Sequence, residues 1–246
     1  MLIQNFLQQN GLMFMPKNKL TYQIEYDAFA KFINGEKIPV ATYVILILKS
    51  FLAIPEMLIR YIPGGFGFKI RYYYYKLLLK ELGENVLIDV GVFINGTKNI
   101  SIKEYTWIDT GVKLEGTLGE IKIGKRVHIA PYAILAAREP IIIEDYVGIG
   151  ASAKIYSNSE RPFGGKRMSG PMIPEKYKAY YSEKIVIEKD SCVGTGSILL
   201  PGAYISEGAV VGANTVVKKK IAPYDIVAGL PPRIIGKREK VNVPDL

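Results

Sequence analysis

The stretch Ile187–Val217, IEKDSCVGTGSILLPGAYISEGAVVGANTVV, places an aliphatic residue at every sixth position: Ile187, Val193, Leu199, Ile205, Val211 and Val217. The residues between them are mostly small, polar or turn-forming. An amphipathic helix needs apolar residues three and four apart, and a half-buried strand alternates every second residue, so neither sustains a period of six. A coil of short strands does. Each six-residue unit supplies one face, its leading residue points into a continuous apolar core, and three units close one turn.

Toward the N-terminus the same period recurs at Ile143, Ile149 and Ile155, at Ile123, Ile129 and Leu135, and at Ile102, Ile108 and Leu114, with Ile88 and Ile94 opening the series. The register slips after Leu114 and after Leu135 and breaks between Ile155 and Ile187, which reads as a long loop. The expected fold is mainly β, a parallel β-helix of about six coils standing roughly 29 Å tall at a strand spacing of about 4.8 Å. Three regions follow from this: an N-terminal helical segment over 1–85, the repeat domain over 86–217 with an insertion at 156–186, and a C-terminal tail over 218–246.

With 246 residues, 49% of them apolar, and a mean hydropathy of +0.13, the chain can hold one large domain and an appendage. The single cysteine, Cys192, excludes an internal disulfide and gives no sign of an oxidising compartment. A net charge of +9 suits an anionic partner, but no nucleic-acid recognition motif accompanies it, so a nucleic-acid partner is not expected. Catalytic zinc normally needs three protein ligands, and a three-histidine site is excluded by the one histidine present; no metal is expected. Residues 1–30 lack the basic start, apolar middle and cleavage site of a secretory signal, which points to the cytoplasm. Residues 1–36 suggest no role.

From Ile38 to Ile62 the chain is strongly apolar but is interrupted by Lys49, Pro55, Glu56 and Arg60. Charges near the middle of a span cost about 2.5–3.5 kcal/mol each, so contact along a membrane surface is expected in preference to a crossing. Pro63, Gly64, Gly65 and Gly67 then break the helix, and Lys69–Leu82 carries Tyr72 to Tyr75 among Lys69, Arg71, Lys76 and Lys80, a headgroup-interface composition. The alternative is that helices over 38–82 only cap the open end of the coil, which solenoids require.

The run VVGANTVVKKKIAPYDIVAGLPPRIIGKR, Val210–Arg238, resembles the closing segment of the left-handed β-helix acyltransferases, the hexapeptide-repeat superfamily. With the repeats, the likeness covers about residues 88–238, and GKRMSGPMIP, Gly165–Pro174, resembles the polysaccharide O-acetyltransferase branch. The resemblance implies left-handed coils, although parallel crossovers are otherwise right-handed in about 98% of cases. It also implies a homotrimer, acetyl-CoA as donor and a site in the groove between subunits.

The residues fit such a donor. Gly194, Thr195, Gly196, Gly212 and Ala213 leave the coil edge without bulky side chains, so an extended pantetheine arm can approach backbone amides. By similarity, Thr195 and Ala213 contact pantetheine, and Lys218, Lys219 and Arg233 lie near the adenine and phosphate end. In this family a loop histidine normally removes the proton from the attacking sugar hydroxyl, but here the segment reads IYSNSERPF, with Asn158 or Glu160 at that place. The candidates for chemistry are therefore Glu160 as base, His128 as base from another coil or subunit, and Asn158 as a positioning group.

The expected reaction is O-acetylation of a sugar hydroxyl in building a bacterial surface polysaccharide. The alternative is N-acetylation of a nucleotide-linked amino sugar, because an amine attacks without a strong base. A scaffold without activity is the third reading. The insertion Tyr156–Lys184, with Arg161, Lys166, Arg167, Ser169, Gly170 and Pro171, reads as an acceptor-binding arm.

Overall fold

All the residues that head the six-residue units from Ile88 to Val217 are at most 3% exposed, and they line one continuous apolar core. The structure, a computed structural model, describes residues 24–245 apart from 26, 33, 169–172 and 174; Ser169, Gly170 and Pro171 of the expected arm lie outside the described residues. The chain divides into two compact units, Met1–Leu58 with Arg161–Ala179, and Ile59–Glu160 with Tyr180–Leu246.

The second unit is a parallel β-helix of three faces. Its first face stacks seven strands from Glu81–Leu82 to Lys220–Ile221. The second holds eight, seven of them parallel from Leu87–Ile88 to Asp225–Ala228, and the third holds six from Phe93–Asn95 to Val216–Val217. There are thus six full coils and a seventh turn that has the first and second faces only. The solenoid extends past both ends of the 86–217 span, because Leu82 stands six residues before Ile88 and the shortened corner after Val217 brings Ile221 and Val227 inward.

A second inward row sits two residues before each head. Val86, Val92, Ile100, Val112 and Val127 fill it at one end, and Ser191, Ser197 and Thr215 at the other. Burying a hydroxyl requires a partner, and Ser197 Oγ donates to the Gly212 carbonyl at 2.8 Å while Ser191 Oγ donates to that of Glu188 at 2.6 Å. Corners turn through a left-handed residue three positions after a head, filled by Gly111 and Gly196 but also by Tyr105, Tyr146 and Tyr224.

Both ends of the stack are covered. Helix α2, Gly64–Leu78, closes the first coil. Its Tyr75 joins the core, and its buried Arg71 donates from Nε to the Ile88 carbonyl at 2.7 Å and from Nη1 to that of Ile62 at 2.6 Å. At the other end Arg233–Lys237 pairs antiparallel with Asp225–Ala228, occupying a strand edge that would otherwise invite pairing with another chain. Helix α1, Val40–Tyr61, runs through Pro55 as one 22-residue element. Its apolar side chains, including Val40, Ile47, Phe51 and Leu58, are exposed.

Candidate functional site

The corner between the second and third faces carries the residues expected to border the donor. Gly148 stacks on Cys192 and Cys192 on Val210, so three residues further on Ala151, Thr195 and Ala213 follow one another along one edge. Thr195 and Ala213 are exposed. Their backbone amides make no hydrogen bond among the described residues, whereas those of Gly194, Gly196 and Asn214 are all taken by neighbouring coils. The edge therefore offers unused donors at a spacing of about one coil, 4.8 Å, to an extended ligand with carbonyl groups.

The glycines of this edge answer to stacking. A Cβ on Gly150 would lie 2.5 Å from the Thr195 nitrogen, and one on Gly194 would lie 2.6 Å from that of Ala213. Gly196 has φ +69°, and a Cβ there would meet Asn214 Oδ1 at 2.3 Å. Its place in the edge is dictated by the turn, while Thr195 and Ala213 supply the surface.

His128 belongs to the same face, two strands from Cys192 through Gly148, or about 10 Å along the stack. Its ring is half exposed, with Nε2 2.8 Å from Asp109 Oδ2. The Trp107 ring lies 5.4 Å away, centroid to centroid. If Nε2 carries the proton that binds the carboxylate, Nδ1 is left as the basic nitrogen. Asp109 escapes a reading of the sequence because it is nineteen positions from His128; aligning the heads Ile108 and Ile129 places the two residues on adjacent rungs.

Asn158 and Glu160 stand on the other edge of the third face. Asn158–Glu160 is a strand paired antiparallel with Tyr180–Ser182, with Asn158 opposite Ser182 and Glu160 opposite Tyr180. These four residues share one side of the hairpin. Its root is fixed by Ser157, whose Oγ accepts from the amides of Arg138 at 2.8 Å and Glu139 at 2.9 Å. Arg138 donates to the Tyr180 hydroxyl, and its guanidinium lies 3.7 Å from that ring's centroid. Among the described residues, two polar atoms on the shared side, Glu160 Oε2 and Ser182 Oγ, are buried without a hydrogen-bond partner. Buried polar atoms usually find partners, and leaving one unmatched costs about 1–3 kcal/mol, so the pair marks a place where a hydroxylated or amino ligand gains. Ser182 and Tyr180 carried no signal in the sequence, since N-S-E and Y-Y-S show no apolar alternation.

The expected basic cluster is divided. Lys218 and Lys219 are exposed on the hairpin's edge, at the corner after Val216–Val217. Arg233 is exposed on the antiparallel strand opposite Ala228, at the end of the Thr195–Ala213 edge. A cavity of about 410 Å³ on the first face is bordered by Lys80, Lys103, Lys122 and Lys189 but also by Glu81, Glu144 and Asp145, so it has no marked preference for anions.

The chain matches no protein-family model. It is 35% identical over 161 residues, 65% of its own length and 83% of the relative's, to a dTDP-4-amino-4,6-dideoxy-D-glucose acyltransferase of Escherichia coli. It is 29% identical over 147 residues, 59% of the chain and 75% of the relative, to WbbJ of Escherichia coli K12, a candidate lipopolysaccharide biosynthesis O-acetyl transferase. Among solved structures, AntD, an N-acyltransferase from Bacillus cereus in complex with dTDP and 3-hydroxybutyryl-CoA, superposes with a TM-score of 0.64 at 32% identity, covering 69% of this chain and 88% of that one.

Proposed function

The chain belongs to the hexapeptide-repeat acyltransferases of the left-handed β-helix type, and on that premise we propose that it moves an acetyl group from acetyl-CoA to a sugar hydroxyl in bacterial surface polysaccharide biosynthesis. The observation that carries the hydroxyl is the Asp109–His128 pair at 2.8 Å, on the face that leads into the Thr195–Ala213 edge. A sugar hydroxyl must lose its proton as it attacks, and a positioned base contributes typically 10²- to 10⁴-fold. His128 Nδ1 takes that proton while Asp109 holds the ring and balances the charge that develops on it.

The pantetheine arm lies along the Thr195–Ala213 edge, its carbonyls accepting from the two unused amides, with the thioester carried toward the coil of His128 and Arg233 at the nucleotide end. Glu160, Asn158 and Ser182 receive the sugar. Within one subunit the two edges are on the order of 15 Å apart across the third face, too far for groups on both to meet one thioester carbon, since reacting atoms must come within about 3–3.5 Å. A homotrimer that sets the donor edge of one copy against the hairpin edge of the next brings them together, and Lys218 and Lys219 then face the neighbour's nucleotide phosphates. Acetyl-CoA supply places the enzyme in the cytoplasm, with residues 38–82 turned to a membrane.

A second reading has its own support. AntD and the Escherichia coli acyltransferase act, by name, on a dTDP-linked amino sugar or as N-acyltransferases, and Asn158 stands where the family's loop histidine is expected. An amine needs no strong base, so N-acetylation of a nucleotide-linked amino sugar proceeds without His128. Release of CoA thiol with dTDP-4-amino-4,6-dideoxyglucose, against hydroxyl acceptors such as oligosaccharides, separates the two. Turnover confined to the amine, undiminished in His128→Ala, rejects O-transfer. Turnover on hydroxyls, lost by more than about 100-fold in the same variant, supports it.

A further inference from the structure

Helix α1 is inside out. At about 100° per residue, the exposed Val40, Val44, Ile47, Phe51, Ile54 and Leu58 gather on one side, while Thr42, Lys49, Glu56 and Arg60, buried or half-buried, gather on the other. Lys49 is ion-paired with Glu25. A helix on the surface of a soluble domain has the reverse arrangement. Here the most apolar 18-residue window has a mean hydropathy of 1.8, yet only 6% of it is buried.

What covers that stripe can be argued from its width and from the charge around it. The exposed side takes in about half the helix circumference, wider than the two positions in seven that a single partner helix covers. Lys49, Glu56 and Arg60 on the opposite side oppose passage through hydrocarbon. Helix α2, whose other side packs on the first coil, also exposes Phe66, Tyr73 and Leu77 beside Lys69 and Lys76. Aromatic and aliphatic side chains beside lysines, in a chain of net charge +9, match an anionic headgroup region. Resting on the reading that residues 38–82 face a membrane, we infer that α1 lies in the plane of an anionic bilayer, with its apolar stripe at the acyl-chain boundary and its charged side turned away from the acyl chains.

Flotation of the full chain with vesicles of phosphatidylcholine, with and without phosphatidylglycerol, tests this. The wild type is expected to float with the anionic vesicles and to come off in high salt. A Phe51→Glu/Leu58→Glu variant should partition at least about tenfold less, with melting temperature and acetyl transfer unchanged. A wild type that stays with the soluble fraction overturns membrane contact itself. A variant that floats as well as the wild type leaves membrane contact standing and overturns the role of α1. Resistance to alkaline carbonate extraction would make α1 a span and overturn the in-plane arrangement. A fall in oligomer size in the variant by analytical ultracentrifugation, with no vesicle binding by either protein, would assign the stripe to a second copy of the chain.

Discussion

Arg71 is fully buried and reaches the carbonyls of Ile88, Ile62 and Ile59, which lie in the first coil, in the turn before α2 and near the end of α1. Burial pushes its guanidinium pKa down, opposed by the charge of Asp89 and by Tyr75, but an arginine remains protonated at any pH at which the protein is folded. Arg71→Ala removes the guanidinium from three carbonyls, of which that of Ile59 keeps the Ile62 amide as donor, and should cost about 3 kcal/mol, which for a chain of this size lowers the melting temperature by roughly 10 °C. Arg71→Lys should recover little of it, since an ammonium cannot match the guanidinium fork. The glycines divide by a simpler criterion. Gly194→Ala would set a Cβ 2.6 Å from the backbone of the next coil, where only displacement of a strand makes room. Gly148→Ala meets nothing nearer than Cys192 Sγ at 3.8 Å. Denaturant unfolding should show about 1–3 kcal/mol lost in the first and within about 0.5 kcal/mol of no change in the second. Cys192 is equally specific: burial pushes its thiol up, only partly offset by Arg238, so the thiolate is scarce at neutral pH. Alkylation by iodoacetamide should be slower than that of a free thiol and should accelerate only as the pH rises above the ordinary thiol range; rapid reaction at neutral pH would contradict this burial.

At the scale of elements, what the sequence discloses depends on whether an element repeats. The heads from Ile88 to Val217 are legible because each must be apolar and each comes after a fixed count. Their strands are only two or three residues long, so no propensity within a strand could have revealed them. Ile221 and Val227 hold the same kind of inward position but follow a shorter corner, and the lysines before them read as the start of a tail. The corner residues are less legible still: Tyr105, Tyr146 and Tyr224 adopt the left-handed conformation that favours glycine or asparagine, because stacking between coils outweighs a backbone cost of about 1–2 kcal/mol each. The hairpin Asn158–Glu160 with Tyr180–Ser182 is built from polar residues, and its register could not be inferred. It makes a prediction of its own. On the proposed reading that Ser182 positions the acceptor, Ser182→Ala should raise KM for the sugar several-fold while KM for acetyl-CoA and the melting temperature hold. A change in the acetyl-CoA constant instead would move Ser182 out of the acceptor cradle.

At the scale of the whole molecule, the candidate site is two half-sites on the edges that flank one face of a prism. Residues that the sequence reading grouped together fall on different edges: Thr195, Gly196, Ala213 and Arg233 on one, Asn158, Glu160, Lys218 and Lys219 on the other. Sequence distance cannot reveal this separation, since each coil returns every edge to view after about eighteen residues. The separation makes a subunit-sharing site directly testable. Thr195→Trp blocks the donor edge and leaves the hairpin intact; Glu160→Ala impairs the hairpin and leaves the donor edge open. Each variant alone should be nearly inactive. If the assembly is the proposed homotrimer, the two variants unfolded together at equal amounts and refolded give mixed trimers in which a given interface has about one chance in four of joining the intact donor edge of a Glu160→Ala chain to the intact hairpin of a Thr195→Trp chain. Activity should therefore return to about a quarter of that of the wild type refolded in the same way. A site completed within one subunit gives no recovery, because every chain in the mixture carries one lesion and no chain is whole.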